Sequence, residues 1–136
     1  MKKLVSCFIL ALTLNSCAVY DAMTMAKFDN NEYGLITRIK TIAETAECGN
    51  KDSIAESAKK MWVYTVEFKN YTQYIPSNQK SFEVASKLSE ITMGLHNKHG
   101  EMSTVYCEEK LKIIIRTTED IQKSLGSKPR WVVFKK

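Results

Sequence analysis

The sequence predicts an all-α protein, a small up-and-down bundle of about four helices with one disulfide and an extended C-terminal tail. Three observations favour this fold class. Apolar residues recur at helical spacing in four segments, only five glycines and two prolines punctuate the 136 residues, and two cysteines fall at predicted helix ends. The length suits one domain with a modest core, and the scarcity of turn residues argues against a many-stranded β-sandwich.

The first predicted helix begins in the polar run at residues 29–32 (Asp-Asn-Asn-Glu), whose side chains suit a helix N-cap. Its apolar positions recur every three or four residues, at Ile36, Ile39, Ile42, Ala43 and Ala46. We expect this helix to end near residues 48–50, where Gly49 suits a left-handed terminus.

The second predicted helix is capped by Asp52 or Ser53. Its inner stripe consists of Ile54, Ala58, Met61, Trp62, Thr65, Val66 and Phe68. Tyr64 and Tyr71 widen the apolar arc to more than half of the circumference. An arc of this width is typical of a helix packed on two sides, and it is also compatible with an exposed aromatic patch that binds a partner.

A loop is predicted at residues 71–77, because Pro76 interrupts the helical pattern. The third helix then starts at Ser77, and residues 96–101 form a turn around Gly100. One face of this helix carries Phe82, Ala85, Leu88, Ile91 and Leu95. The fourth helix opens at Ser103 or Thr104 and ends at Gly126. Its inner face is lined by Cys107, Leu111, Ile114, Ile115, Thr118, Ile121 and Leu125.

The C-terminal segment, residues 128–136, differs in kind from the helices. Pro129 starts an extended stretch in which four bulky apolar residues lie between basic ones. Trp131 and Phe134 can fold back and cover an open side of the bundle. They can also add a strand to a partner's sheet or contact anionic lipid.

The N-terminus has the pattern of an export signal. Lys2 and Lys3 precede an apolar stretch from Leu4 to Leu14, which has the length of a signal-peptide core and is too short to span a bilayer. The string that follows, residues 14–17 (Leu-Asn-Ser-Cys), resembles the lipobox of bacterial lipoproteins. This resemblance implies that Cys17 is lipidated and becomes the first residue of the mature protein. Ordinary secretion with cleavage after Ala18, or an uncleaved N-terminal helix, are the alternatives.

These patterns divide the chain into four parts. Residues 1–16 are the lipoprotein signal peptide, 17–30 the lipidated cysteine and a tether, 31–127 the helical domain, and 128–136 the basic aromatic tail. The resemblance implies attachment to the cell membrane through lipid, palmitate included, on Cys17. Because Ala18 rather than Asp follows the cysteine, we expect the outer membrane, with the domain facing the periplasm.

The cysteine count agrees with an oxidising compartment. Cys7 lies in the segment that is removed and Cys17 carries lipid, so Cys48 and Cys107 remain. An even remainder in an exported chain predicts a disulfide, here one that closes a loop of about 60 residues. Two unpaired buried thiols are the alternative.

Charge and motifs argue against nucleic-acid binding and against catalysis. Loss of Lys2 and Lys3 lowers the formal net charge from +5 to +3, and basic and acidic residues alternate along the chain. His96, His99 and Glu101 form the one constellation with metal-ligand chemistry, and we expect exposed turn histidines there. We expect no metal, no cofactor and no catalytic residue, because no HExxH, nucleophile elbow or glycine-rich phosphate loop occurs.

The sequence therefore favours an envelope lipoprotein that acts by non-enzymatic contact with an unknown envelope protein. Such a protein could be an assembly partner, an inhibitor or an exclusion factor. The candidate contact residues are Tyr64, Tyr71, Trp131 and Phe134. Alternatives are a binder of a small apolar ligand, with the methionine- and aromatic-rich second helix lining its pocket, and a metal-dependent enzyme.

Overall fold

The structure, a computed structural model, describes residues 26–130. Its four helices are α1 (Asn30–Thr45), α2 (Lys51–Gln73), α3 (Gln79–Lys98) and α4 (Thr104–Gly126). No strand occurs in the described part of the chain. The predicted all-α bundle with one disulfide is confirmed.

Each helix packs against two neighbours, so that the four form a closed ring with α1 opposite α3 and α2 opposite α4. Contacts between α1 and α4 show that neighbours run in opposite directions. Gln122 donates a 2.9 Å hydrogen bond to the Thr37 hydroxyl, and Lys40 Nζ, one turn later in α1, lies 3.1 Å from Glu119 Oε1, one turn earlier in α4. The hydrogen bond to Glu119 also raises the pKa of Lys40.

The core contains the side chains that the helical spacing predicts. Phe68 of α2 is the largest fully buried side chain. Across the α2–α3 contact, the buried hydroxyls of Thr65 and Thr92 share a 2.7 Å hydrogen bond, so that neither is left unsatisfied. The apolar core consists of Leu35, Ile36, Ile39, Ala43, Ile54, Ala58, Met61, Phe68, Ala85, Leu88, Leu95, Cys107, Leu111, Ile114, Ile121 and Leu125.

One end of the bundle, here called the disulfide end, is closed by the bond between Cys48 and Cys107, whose Cα atoms lie 5.8 Å apart. The predicted end of the first helix near residues 48–50 is wrong. The backbone leaves the helix at Ala46 (φ −73°, ψ 135°), and Cys48 lies in the turn that follows, which the Asn50 N–H closes with a 3.3 Å hydrogen bond to the Glu47 carbonyl. Gly49 is not left-handed, because no described glycine has a positive φ.

The N-cap of α2 also differs from the prediction. Asn50, and not Asp52 or Ser53, caps the helix: its Oδ1 accepts hydrogen bonds of 3.1 Å from the backbone N–H groups of both residues. An asparagine side chain satisfies two of the N–H groups that a helix start leaves without partners.

At the opposite end of the bundle, α2 continues to Gln73, so the predicted loop begins too early. Tyr71 and Thr72 are helical. The Tyr71 hydroxyl donates to Asp29 Oδ2 (3.0 Å) and accepts from Asn31 Nδ2 (3.1 Å), while Thr72 is buried. These tertiary contacts stabilise the last turn of α2, which ends at Gln73, three residues before Pro76.

Two boundaries of the third helix differ from the prediction as well. Asn78 is the N-cap, while Ser77, the predicted start, has a φ of +59° and lies outside the helix. Asn78 makes no side-chain cap because its amide contacts Glu32 and Lys128 instead. At the other end, α3 extends through Lys98, so His96 is helical and does not belong to a turn.

Candidate functional site

A buried ion pair lies at the end of the bundle opposite the disulfide, here called the ion-pair end. Lys128 Nζ lies 2.9 Å from Glu32 Oε2, with 11% of the lysine side chain and none of the glutamate side chain exposed. Asn78 donates its amide to Glu32 Oε1 and accepts from Lys128 at 2.8 Å. The Ser81 hydroxyl, 3.3 Å from Nζ, completes the set.

This cluster connects the ends of three helices. Glu32 belongs to the first turn of α1, and Asn78 and Ser81 belong to the start of α3. Lys128 lies two residues beyond the end of α4. Burying a single charge would be costly, but here the carboxylate and the ammonium neutralise each other and their hydrogen bonds are satisfied. The cluster therefore sets which ends of α1, α3 and α4 meet.

A groove of about 600 Å³ runs between α3 and α4, beginning at the ion-pair end. These two helices make the least extensive contact of the four neighbouring pairs, which leaves the space open. Its apolar part is formed by Val84, Ile121 and Leu125. Its remaining lining is mostly small or polar: Ala26, Ser77, Asn78, Gln79, Lys80, Ser81, Thr117, Asp120, Ser124, Ser127 and Lys128.

The groove is also the place where the chain enters and leaves the domain. Ala26, which lines the groove, is 8% exposed. Two residues later, the Phe28 N–H donates a 2.9 Å hydrogen bond to the Pro129 carbonyl, and the Arg130 guanidinium lies 5.0 Å from the centre of the Phe28 ring. Residues 26–30 and 128–130, assigned from the sequence to the tether and the tail, thus pack against the bundle.

Of the four predicted contact residues, two are described. Tyr64 and Tyr71 are partly buried and pack against the core, and the Arg38 guanidinium lies 5.8 Å from the centre of the Tyr64 ring. The hydroxyl of Tyr71 is occupied by Asp29 and Asn31. The structure does not bring these tyrosines to the groove. Trp131 and Phe134, like Cys17, lie outside the described residues.

His96 and His99 stack on each other and do not converge on one point. Their ring centres lie 5.8 Å apart, and His96 stacks on Trp62 at 5.2 Å. His99 Nδ1 contacts the His96 carbonyl, while His96 Nδ1 is buried without a hydrogen-bond partner in the structure. Within residues 26–130, no group of three His, Cys, Asp or Glu side chains is placed to hold a metal.

The residues that form the buried ion pair were not predicted from the sequence. Glu32 was expected to be one of several capping residues, whereas the cap is Asp29 and Glu32 is fully buried. A signal was present, because Glu32 lies four and seven residues before Ile36 and Ile39 and so shares their inward face. The expectation that the second helix lines a pocket is wrong for this groove, because α2 contributes none of the lining residues.

None of the helices between residues 26 and 130 is long and apolar enough to cross a membrane. Comparison of the chain with protein families, with curated proteins and with solved structures finds no match.

Proposed function

We propose that this protein is a membrane-anchored lipoprotein of the bacterial cell envelope that acts by non-enzymatic contact with another envelope protein. The role is that of an assembly partner, an inhibitor or an exclusion factor. The observation that supports it best is the groove between α3 and α4, which opens where the chain leads back towards Cys17. A lipid on Cys17 would keep this groove near the membrane surface.

The distance between anchor and groove is short. Nine residue steps separate Cys17 from Ala26, and they span at most about 30 Å when fully extended. A diacylglycerol together with a further acyl chain makes attachment durable, since one chain alone binds only marginally. Partners on the same membrane then meet the groove at a raised effective concentration. Ala18 after the cysteine favours the outer membrane.

The anchor predicts a clear effect of one substitution. Cys17→Ser should release the protein from the membrane fraction, because it removes the thiol that accepts the diacylglycerol. The intact mass of the wild-type protein should equal residues 17–136 plus acyl chains, and it should rise by two hydrogens on reduction of Cys48–Cys107.

The matched control is Cys7→Ser, which changes a cysteine in the segment expected to be removed. It should leave the membrane attachment and the mass of the wild-type protein unchanged. A wild-type mass equal to that of residues 19–136 without lipid would show ordinary secretion and contradict the proposal of a lipid anchor. A full-length mass would show an uncleaved helix.

The groove predicts where a partner is captured. A photo-crosslinking amino acid at Ser124, an exposed residue of the groove rim, should trap an envelope protein in cells. The same probe at Glu108, also exposed on α4 but about 24 Å away along the helix, should trap none. Equal capture at both positions would reject the groove as the contact surface.

A small apolar ligand is the second candidate, and the cavity volume favours it. About 600 Å³ lies within the usual range of ligand pockets, about 300–1,000 Å³. Native mass spectrometry of the protein isolated from cells would then show one bound molecule per chain. An empty protein would leave protein contact as the function of the groove.

A further inference from the structure

We propose that the groove between α3 and α4 is a binding site for an apolar, aromatic peptide segment, and that its resident occupant is this chain's own tail, from Trp131 to Phe134. The inference deepens the proposed function, because a partner that uses the groove must displace the tail. The tail is then an intramolecular competitor of the partner.

The tail begins at the ion-pair end, beside the groove. Lys128 lines the groove and its ammonium is fixed by the buried Glu32. Pro129 is fixed through its carbonyl by the Phe28 N–H, and Arg130 lies over the Phe28 ring. Three successive residues are thus held at the ion-pair end, and the first of them lines the groove.

The tail is long enough to extend along the groove. The lining residues of α4 extend from Thr117 to Lys128, a distance of about 16 Å along the helix. Residues 131–136 span about 20 Å when extended. A tail directed along the groove can therefore reach its far limit with residues 131–136, and the four apolar residues, which span about 13 Å, can cover most of it.

The side chains of the tail also match the chemistry of the groove lining. The surface of the groove is mainly carbon, from the partly exposed Val84 and the aliphatic parts of its small and polar neighbours, with the largely buried Ile121 and Leu125 beneath. Side chains alternate along an extended segment, so the tail can place Trp131 and Val133 together on this surface. Asp120, in the half of the groove distant from Lys128, is the acidic residue of the lining and is suited to Lys135 or Lys136. A free peptide or lipid lacks the advantage of the covalent link, which gives the tail an effective concentration in the millimolar range.

The test uses the fluorescence of Trp131 in the protein as isolated from cells, without partner or membrane. The chain has two tryptophans, so Trp62→Phe leaves Trp131 as the only one and keeps an aromatic ring beside His96. In this background we expect a blue-shifted emission and weaker acrylamide quenching than in a synthetic peptide of residues 129–136. Both should be independent of protein concentration.

Groove variants identify the surface on which Trp131 is buried. Val84→Arg, and Ser124→Arg at an exposed rim position that tolerates a large side chain, should shift the emission to the red and increase quenching. Val105→Arg at a residue 69% exposed near the disulfide end is the control and should change neither. Circular dichroism confirms that each variant remains folded.

Three results would overturn the proposal: emission in the parent protein like that of the free peptide, buried emission that neither groove variant alters, or burial that is lost on dilution and so depends on a second copy. Partner capture plays no part in this measurement. Failure of the tail to dock and failure of the proposed function are therefore distinguishable.

Discussion

Replacing Lys128 by methionine is expected to lower the free energy of unfolding by about 3–5 kcal/mol, because it leaves the buried Glu32 carboxylate without its cation. Glu32 is fully buried and its remaining partner is the Asn78 amide. A loss of this size is a large fraction of the total stability of a small domain, about 5–15 kcal/mol. Urea denaturation followed by circular dichroism measures it.

A matched control separates burial from pairing. Lys112 and Glu109 form an ion pair at 2.7 Å with both side chains 61% exposed. Lys112→Met should cost at most about 1 kcal/mol, since water screens exposed pairs. Equal losses for Lys112→Met and Lys128→Met would contradict the assignment of Glu32 and Lys128 as a buried, structure-determining pair.

The double variant Glu32→Gln/Lys128→Met should be more stable than Lys128→Met alone. A glutamine at position 32 is neutral and still offers an oxygen to the Asn78 amide, so the cost of an uncompensated buried charge disappears. If the free energy of unfolding of the double variant is equal to or lower than that of Lys128→Met, then Lys128 stabilises the fold through its packing and not through its charge.

Removal of the disulfide, as Cys48→Ala/Cys107→Ala, is expected to lower the free energy of unfolding by about 4 kcal/mol. The two cysteines are 59 residues apart, and the loss of a loop of this length from the unfolded chain gives that value in the chain-entropy treatment. At a typical m-value of about 2 kcal/mol per molar urea, the midpoint should fall by about 2 M. Alanine suits the buried position 107 because it introduces no polar group.

The control for this prediction is chemical reduction. Tris(2-carboxyethyl)phosphine should lower the midpoint of the wild-type protein and leave the midpoint of the Cys48→Ala/Cys107→Ala variant unchanged. A wild-type midpoint that full reduction leaves unchanged would show that the disulfide adds little to the free energy of unfolding.

Helix positions could be predicted because each helix buries one continuous face. Ile36 and Ile39 in α1, and Leu111 and Ile114 in α4, are buried as their spacing of three residues predicts. The Cys48–Cys107 bond followed from the count of cysteines in a chain expected to be exported. Both inferences depend on local periodicity or on composition, which a sequence displays directly.

Helix ends were predicted less well because tertiary contacts decide them. The early end of α1 at Thr45 leaves Cys48 in the turn before α2, where it bonds to Cys107, a residue far along the chain. The late end of α2 depends on two hydrogen bonds of the Tyr71 hydroxyl, which donates to Asp29 and accepts from Asn31, about forty residues earlier. Neither contact leaves a local pattern around the helix end itself.

The sequence by itself determined an all-α bundle, four amphipathic helices and one covalent link, because periodicity and cysteine count are properties of the chain. Only the tertiary structure decided that Glu32 lies buried beside Lys128, 96 residues later, and that a groove remains open between α3 and α4. The physical reason is that a buried charge and an open groove both depend on contacts between side chains of different helices. Such contacts cannot be seen in any single segment of the sequence.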